Sequence, residues 1–178
     1  AAEPKAAWRS RCDHLRDAFD GKAADSRVHG CAAIAADVSF PSAVAAFGLP
    51  GRASSLALAT TMDGAYRPRS EPYRLFNLDV FKYERDTHTG LYGSIPFLLA
   101  HGGGHSRADS AAVLWLNAAY TYVDLLAGGG KGSGITSHWL SEGGALDLVL
   151  LPGPSDEAAL AQLAHLTGRP PLPPLWSM

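Results

Sequence analysis

The chain has 178 residues, of which 47% are hydrophobic and 18% are charged, so one domain with a buried core is expected and a disordered polymer is excluded. The net charge of -2 indicates no basic surface of the kind that binds nucleic acid. No apolar run is long enough for a membrane span, and the N-terminal stretch lacks the apolar segment of a secretory signal.

Residues 1–36 are rich in alanine and charge, and they predict a poorly ordered lead-in with a short helix around Asp13–Phe19. Cys12 and Cys31 allow one disulfide at most, and the sequence leaves open whether they pair. They do not form a CxxC pair, so neither a metal site nor a redox site is predicted, and no cofactor is expected.

Residues 37–154 are predicted to form an antiparallel β-sandwich or barrel. Short apolar or alternating runs are separated there by Gly, Pro, Asp and Ser, which is typical of strands and turns. No alternation with long amphipathic helices occurs, which disfavours a parallel doubly wound sheet. The runs read DVSF, SSLALAT, YRLFNLDVFKY, SIPFLLAH, AAVLWLN, TYVDLLA, ITSHWLS and ALDLVLLPG.

Residues 155–178 are predicted to be a short helix and a linker. Ser155 provides a hydroxyl N-cap, two acids follow it in the first turn, and Gly168 marks the C-terminal end. The apolar face is predicted to carry Leu160, Leu163 and Ala164. Leu175 and Trp176 lie at the very end of the chain, so we expect further sequence that covers them.

The run RLFNLDVFKY, residues 74–83, contains an acid among apolar residues. As one strand it would place Phe76, Leu78 and Val80 on a core face, and Asn77, Asp79 and Phe81 on the other face with Tyr73, Leu75 and Tyr83. A carboxylate, an amide and aromatic rings together suit a sugar, since the polar groups bond hydroxyls and a ring packs on C–H groups. From spacing alone, a half-exposed sheet face with scattered polar residues is the commoner explanation.

Other motifs do not form a catalytic set. His101 and His105 flank three glycines, which do not hold a metal-binding geometry. In GGGKGSG, Lys131 is followed by Gly132, so the phosphate-loop pattern is not met. Asp124 and Asp147 are predicted to be outward-facing or hydrogen-bonded sheet residues, and no G-x-S-x-G elbow is present.

Five segments in order resemble glycoside hydrolase family 31, and within it the glucosidase II-like α-glucosidases, from about Asp37 to Met178. They are EPYRLFNLDVFKYE, GLYGSIPFLLAH, VLWLNAAYTYVDLL, WLSEGGALDLVLLPGPS and LTGRPPLPPLWSM. The resemblance implies a galactose-mutarotase-like sandwich that precedes a (β/α)8 barrel in a retaining α-glucosidase. Both catalytic aspartates would lie on that barrel, so no catalytic residue is expected in this chain, which should be inactive alone.

The resemblance also implies site residues and partners. Asp79 would hydrogen-bond sugar hydroxyls and Phe81 would wall the neighbouring subsite, with the chain leaving the sheet near Asn77. Implied partners are an α-glucoside or glucosylated N-glycan substrate, the barrel of the same protein, and a regulatory β subunit as a candidate, with no nucleic acid and no membrane span. The implied location is the lumen of the endoplasmic reticulum.

One departure from the family concerns its GIPEHA pattern, which reads GLPGRA at Gly48–Ala53, with Gly51 and Arg52 replacing an acid and a histidine. If this turn supports the sugar pocket, the replacement is expected to weaken that support. The alternative function is a free-standing β-sandwich that binds glycans or proteins without catalysis.

Overall fold

The computed structural model describes residues 33–63, 67–103, 109–127 and 134–177. In these residues eight strands are followed by one α-helix, α1 (Asp156–Thr167), and one turn of 3-10 helix (Leu175–Ser177). The strands are β1 (Ile34–Phe40), β2 (Ala43–Gly48), β3 (Tyr73–Leu75), β4 (Phe97–Gly102), β5 (Ala111–Trp115), β6 (Thr121–Ala127), β7 (Ile135–Ser141) and β8 (Leu148–Leu151).

The strands form two four-stranded sheets in which every pairing is antiparallel. The first sheet has the order β1-β7-β6-β3 and the second has the order β2-β4-β5-β8. The predicted mainly β fold with an antiparallel sandwich and one short C-terminal helix is therefore confirmed.

The main core lies between the two sheets. Both sheets contribute large side chains to it. The first sheet provides Tyr73, Val123, Leu125 and Trp139, and the second provides Leu98, Val113 and Trp115. Strand β7 shows how the sequence produces this arrangement, because its residues alternate strictly between buried and half-buried along ITSHWLS. Two indole rings, those of Trp115 and Trp139, are fully buried and fill the centre of the sandwich.

Helix α1 covers the outer face of the second sheet. The Ser155 side chain accepts a hydrogen bond from the Ala158 amide, and Gly168 ends the helix with a φ of 87°. The buried face carries Ala159, with Leu163 packed beside it against Leu99 and Leu151. The prediction for Leu160 was wrong, because its side chain is 47% exposed, and Ala164 is half-buried.

Besides the run RLFNLDVFKY, the predicted and observed strands differ in three places. Strand β2 has the sequence AVAAFG, whose small residues lack the β-branched pattern that marks a strand, and it was not predicted. Residues 54–60, SSLALAT, form bends rather than a strand, although the Leu58 amide still donates to the Ala46 carbonyl at 2.8 Å. Strand β1 begins at Ile34, ahead of the run DVSF from which it was predicted.

The run RLFNLDVFKY is not one strand. Only Tyr73–Leu75 pairs with β6, in a register that sets Leu75 opposite Thr121. Thr121 is the first residue of β6, so the residues after Leu75 have no further strand residue to pair with. The predicted faces were also wrong, since Tyr73 and Leu75 are 1% and 7% exposed and belong to the core. The chain leaves the sheet at Phe76, one residue before the expected position.

Candidate functional site

The segment after β3, residues 76–92, is a long loop, called here the 76–92 loop. All of its residues are described, and none of them lies in a helix or a strand. The two ends of the loop are joined by a hydrogen bond of 3.0 Å from the Leu78 amide to the Leu91 carbonyl. The Ser94 hydroxyl adds a bond of 3.2 Å to the Phe76 carbonyl. The loop is therefore closed at its base, where it leaves the first sheet.

Gly90 lies at this base and is buried against the other end of the loop. A Cβ atom added to it would be 3.1 Å from the carbonyl oxygens of both Arg74 and Phe76. That distance is shorter than an ordinary van der Waals contact, so the two ends of the loop can approach this closely because residue 90 is glycine.

Asp79 and Phe81 lie in the outer part of the loop. Asp79 is exposed, and the Phe81 side chain is 100% exposed. Between them, the Val80 carbonyl accepts a hydrogen bond from the Tyr92 hydroxyl, which ties this part of the loop to its returning limb. The structure thus presents a carboxylate and an aromatic ring two residues apart, both toward solvent.

The base of the loop packs on an aromatic group at the edge of the first sheet. The Phe76 ring lies 4.5 Å from the Tyr120 ring and 5.2 Å from the Tyr122 ring, measured between centroids. Tyr120 is 56% exposed, so this group continues the surface that the loop occupies. Sequence reasoning did not identify Tyr120, because its position beside Phe76 depends on where β3 ends.

The GLPGRA segment, residues 48–53, forms a turn that contacts the loop directly. It is called here the 48–53 turn. The Leu91 amide donates to the Gly51 carbonyl at 3.0 Å, and the Gly51 amide donates to the Gly93 carbonyl at 3.3 Å. The Asp86 amide donates to the Ala53 carbonyl at 2.8 Å. The turn therefore supports the loop through backbone hydrogen bonds, and the expected weakening of a sugar pocket stays a prediction.

Arg52 lies between the turn, the loop and β3. Its Nε donates to the Leu49 carbonyl at 2.7 Å, and one terminal nitrogen donates to the Arg74 carbonyl at 3.0 Å. The other terminal nitrogen donates to the His88 carbonyl. Burial lowers the pKa of Arg52 to about 10, which still leaves the guanidinium charged at neutral pH. Arg52 therefore joins the turn to β3 and to the loop.

The Tyr73 ring packs against both Arg52 and His88. The Arg52 Cζ atom lies 5.0 Å from the centroid of the Tyr73 ring, and the His88 ring stacks on Tyr73 at 4.4 Å. The Tyr73 hydroxyl donates to the Ala59 carbonyl at 3.0 Å. Burial raises the pKa of the Tyr73 phenol, and the charge of Arg52 opposes that rise.

His101, Ser110 and Asp156 meet at the start of α1, away from the loop. The His101 Nδ1 atom lies 3.1 Å from an Asp156 carboxylate oxygen and 3.3 Å from the Ser110 hydroxyl. In a hydrolytic triad, the serine contacts one ring nitrogen of the histidine and the acid contacts the other. Here Ser110 and Asp156 both contact Nδ1 of His101. The arrangement is therefore a hydrogen-bonded support for the helix end rather than a hydrolytic triad.

Asp124 and Asp147, the two aspartates of the apolar runs, have different environments. Asp124 is half-buried and accepts a hydrogen bond of 2.6 Å from the buried Thr61 hydroxyl, so the prediction of a hydrogen-bonded sheet residue is confirmed. Asp147 is exposed and lies just before β8.

Several other predicted features fall outside the described residues. They are the helix around Asp13–Phe19, Cys12, Cys31, His105, Lys131 and Gly132. Within the described ranges, no group of three or more His, Cys, Asp or Glu side chains is placed to hold a metal ion. The one α-helix of this part of the chain is too short to cross a membrane.

Comparison with known proteins assigns the domain. A family model described as "Glycosyl hydrolase 31 N-terminal galactose mutarotase-like domain" matches residues 7–124. The match covers β1 to β3, the 48–53 turn, the 76–92 loop and the strands that follow as far as Asp124.

Curated relatives are α-glucosidases. A "Probable glucan 1,3-alpha-glucosidase" of Arabidopsis thaliana is 39% identical in an alignment of 163 positions that covers 86% of this chain and 17% of the relative. "Glucosidase 2 subunit alpha" of Saccharomyces cerevisiae is 39% identical over 92% of this chain and 16% of its own length. "Neutral alpha-glucosidase AB" of Mus musculus is also 39% identical, over 86% of this chain. The chain thus spans about a sixth of the length of these relatives.

Solved structures agree with this result. A heterodimeric complex of endoplasmic reticulum glucosidase II, with the catalytic subunit and the binding domain of a regulatory subunit, matches with a TM-score of 0.67 and 36% identity. A glucosidase II α subunit bound to alpha3-Glc2 matches with a TM-score of 0.66 and 38% identity. Each match covers 84% of this chain and 17% of the solved chain.

Proposed function

Because the chain belongs to the glycosyl hydrolase 31 N-terminal galactose mutarotase-like domain family, we propose that it works as the substrate-entrance domain of a retaining α-glucosidase. The observation that carries this proposal is the exposed pair Asp79 and Phe81 on a loop that is closed at its base and braced by the 48–53 turn. The catalytic carboxylates belong to a (β/α)8 barrel, and this domain supplies none of them.

Asp79 and Phe81 have the chemistry of a sugar subsite. An exposed carboxylate accepts hydrogen bonds from two vicinal hydroxyls, and a fully exposed phenyl ring offers a flat apolar surface to the C–H face of a pyranose. A fully exposed phenyl ring does not contribute to the stability of the isolated domain. Its exposure therefore supports a role in contact with another molecule.

The C-terminal segment provides the second part of the proposed role. Leu172, Leu175 and Trp176 are 93%, 86% and 87% exposed, although they are among the largest apolar side chains of the chain. We infer that this segment and the exposed face of α1 pack against the barrel and brace it. The fact that the matched relatives are about six times longer than this chain supports such a partner.

The names of the relatives support a substrate class. One relative is a glucan 1,3-alpha-glucosidase, and a solved relative was determined with alpha3-Glc2 bound. We propose that the substrate is an α-1,3-linked glucose, removed from N-glycans in the endoplasmic reticulum. A regulatory subunit is a proposed partner, because a solved relative is a complex with the binding domain of one.

The first test is the intact mass of the native protein, isolated from its source with an antibody against this domain. A mass several times the 18.7 kDa of this chain is expected, since under this proposal a barrel domain accompanies it. A native mass near that of this chain would contradict the proposed enzyme.

The second test is Asp79→Asn in the complete enzyme, assayed on an α-1,3-linked glucose disaccharide. Loss of a charge-assisted hydrogen bond in the transition state is expected to lower kcat/KM by about 1–3 kcal/mol in free-energy terms, with the melting temperature unchanged. Asp86→Asn is the matched control, because Asp86 is an exposed acid on the same loop. Equal kinetics for the two variants would remove Asp79 from the site.

A second candidate function is a glycan-binding or protein-binding sandwich without catalysis. It is favoured by the two complete sheets, which enclose their own core in the described residues. This candidate predicts a monomeric chain with weak glucoside affinity that Asp79→Ala abolishes. Aggregation of the isolated chain, as the exposed Leu175 and Trp176 suggest, would count against it.

A further inference from the structure

The 48–53 turn supplies the backbone hydrogen bonds that join the 76–92 loop to the rest of the described chain. Its outer part has no strand partner, because β3 ends at Leu75 opposite the first residue of β6. The backbone bonds that reach beyond the loop run from the Asp86 amide to Ala53 and from the Leu91 amide to Gly51. A segment with few buried apolar contacts opens locally unless such contacts fix it.

The Arg52 guanidinium links the three backbone segments that define the loop. It donates to carbonyls of the turn (Leu49), of the end of β3 just before the loop (Arg74) and of the returning limb (His88). A guanidinium donates from three nitrogens held in a fixed planar fork, whereas an ammonium group donates from a single nitrogen and an imidazole has only two nitrogens. One side chain therefore joins the turn both to the strand that enters the loop and to the returning limb of the loop.

The surroundings of Arg52 strengthen these bonds. Arg52 is half-buried, and its charged group lies 5.0 Å from the centroid of the buried Tyr73 ring. His88 is fixed twice more, through its ring stacked on Tyr73 and through its Nδ1 atom, 2.6 Å from the Glu71 carbonyl. Hydrogen bonds from an ionised donor are stronger than neutral ones, and low polarity increases their strength.

We propose that Arg52 is a positioning residue whose guanidinium holds the 76–92 loop in the conformation that presents Asp79 and Phe81 to substrate. This inference rests on the proposed function of those two residues. Arg52 does not itself contact substrate in this scheme, and it acts through the backbone carbonyls of Arg74 and His88.

The first experiment measures amide hydrogen exchange of this domain within the complete enzyme, in three variants. Arg52→Met keeps the length of the side chain and removes its donors, and Arg52→Lys keeps the charge without the fork. Arg69→Met is the matched control, because Arg69 is exposed and precedes β3. The amides of Asp86 and Leu91 report the loop, and the Thr61 amide, bonded to the Leu125 carbonyl at 2.8 Å, reports opening of the whole domain.

In Arg52→Met, the loop amides should exchange on the order of tenfold faster or more, since each lost bond to a charged donor changes a local equilibrium by at least that factor. The Thr61 amide should exchange at the wild-type rate. In Arg52→Lys, the loop amides should exchange at rates between those of the wild type and of Arg52→Met. Loop amides that keep the wild-type rate in Arg52→Met would overturn the proposal. If Arg52→Met does not fold, Arg52→Lys alone decides the question. Faster exchange of its loop amides would then support the proposal, and exchange at the wild-type rate would overturn it.

The second experiment is a double-mutant cycle in the complete enzyme, read as kcat/KM on an α-1,3-linked glucose disaccharide. If Arg52 acts through Asp79, Arg52→Lys should lower kcat/KM roughly tenfold in the wild-type background and by much less in an Asp79→Asn background. Equal losses in both backgrounds would overturn the positioning role.

The two proposals can fail separately. An Asp79→Asn enzyme with wild-type kinetics would contradict the proposed site, and the exchange rates would still decide whether Arg52 holds the loop.

Discussion

The indole rings of Trp115 and Trp139 stack across the sandwich, with centroids 5.6 Å apart and planes inclined by 14°. Trp115 lies on β5 of the second sheet and Trp139 on β7 of the first sheet, so one aromatic pair joins the two layers. Each indole N–H donates to a serine hydroxyl, Trp115 to Ser141 at 2.9 Å and Trp139 to Ser137 at 3.0 Å. Both buried indole N–H groups thus find their acceptors within the core.

Replacement of Ser141 tests this arrangement. Ser141→Ala would leave the Trp115 N–H without its acceptor in a fully buried position, and it would also remove the contact of 2.7 Å with the Thr121 hydroxyl. An unsatisfied buried donor costs about 1–3 kcal/mol, so the free energy of unfolding in urea should fall by that amount. Ser39→Ala is the control, because Ser39 also bonds a cross-strand hydroxyl, that of Thr136, but is exposed. Equal changes in the two variants would contradict the explanation.

The close approach at the base of the 76–92 loop gives a second prediction. Gly90→Ala would place a methyl group 3.1 Å from two carbonyl oxygens, so the two ends of the loop must separate. We expect a loss of about 1–3 kcal/mol in the free energy of unfolding, as for other overpacked sites, and faster proteolysis within the loop. Gly93→Ala provides the comparison, since an added Cβ there meets nothing within 4 Å. The prediction fails if both variants unfold at the same urea concentration.

The sandwich could be predicted from the sequence because its strands carry their own signal. In β7 the alternation of buried and half-buried residues follows ITSHWLS directly, and the strand pairs along its whole length with both neighbours. Helix α1 could also be predicted, since the Ser155 hydroxyl caps its start and Gly168, which lacks a Cβ atom, ends it. Strand β2 was missed because AVAAFG has the composition of neither a strand nor a turn.

The loop could not be predicted from periodicity, because its start depends on a distant strand. Residues 73–83 alternate well enough for one long strand, yet the pairing stops at Leu75, where β6 begins at Thr121. Nothing within the run RLFNLDVFKY encodes that limit. The importance of Arg52 was hidden for the same reason, since its acceptors Arg74 and His88 lie 22 and 36 residues away in sequence. The family resemblance alone pointed to Asp79 and Phe81 as site residues, and that assignment stays a prediction.

The start of α1 gives a prediction about pH. A hydrogen bond from the Ser110 hydroxyl, together with the His101 imidazole, lowers the pKa of the Asp156 carboxyl below its ordinary value of 3.8. Because the folded-state pKa is lower than the unfolded one, the ionised carboxylate stabilises the fold above pH 3.8, and this contribution is lost as the pH falls through the folded-state pKa.

Asp156→Asn should therefore reduce the free energy of unfolding at pH 6 by about 0.5–1 kcal/mol, a modest value because the side chain is partly exposed at the end of a helix. Below pH 3.8 the difference between Asp156→Asn and the wild type should shrink toward zero, as measured by urea unfolding across the acid range. Asp147→Asn, which changes an exposed acid outside the helix, should not reproduce this pH dependence. A difference between Asp156→Asn and the wild type that stays constant from pH 6 into the acid range would show that the carboxylate charge is not what stabilises the helix end.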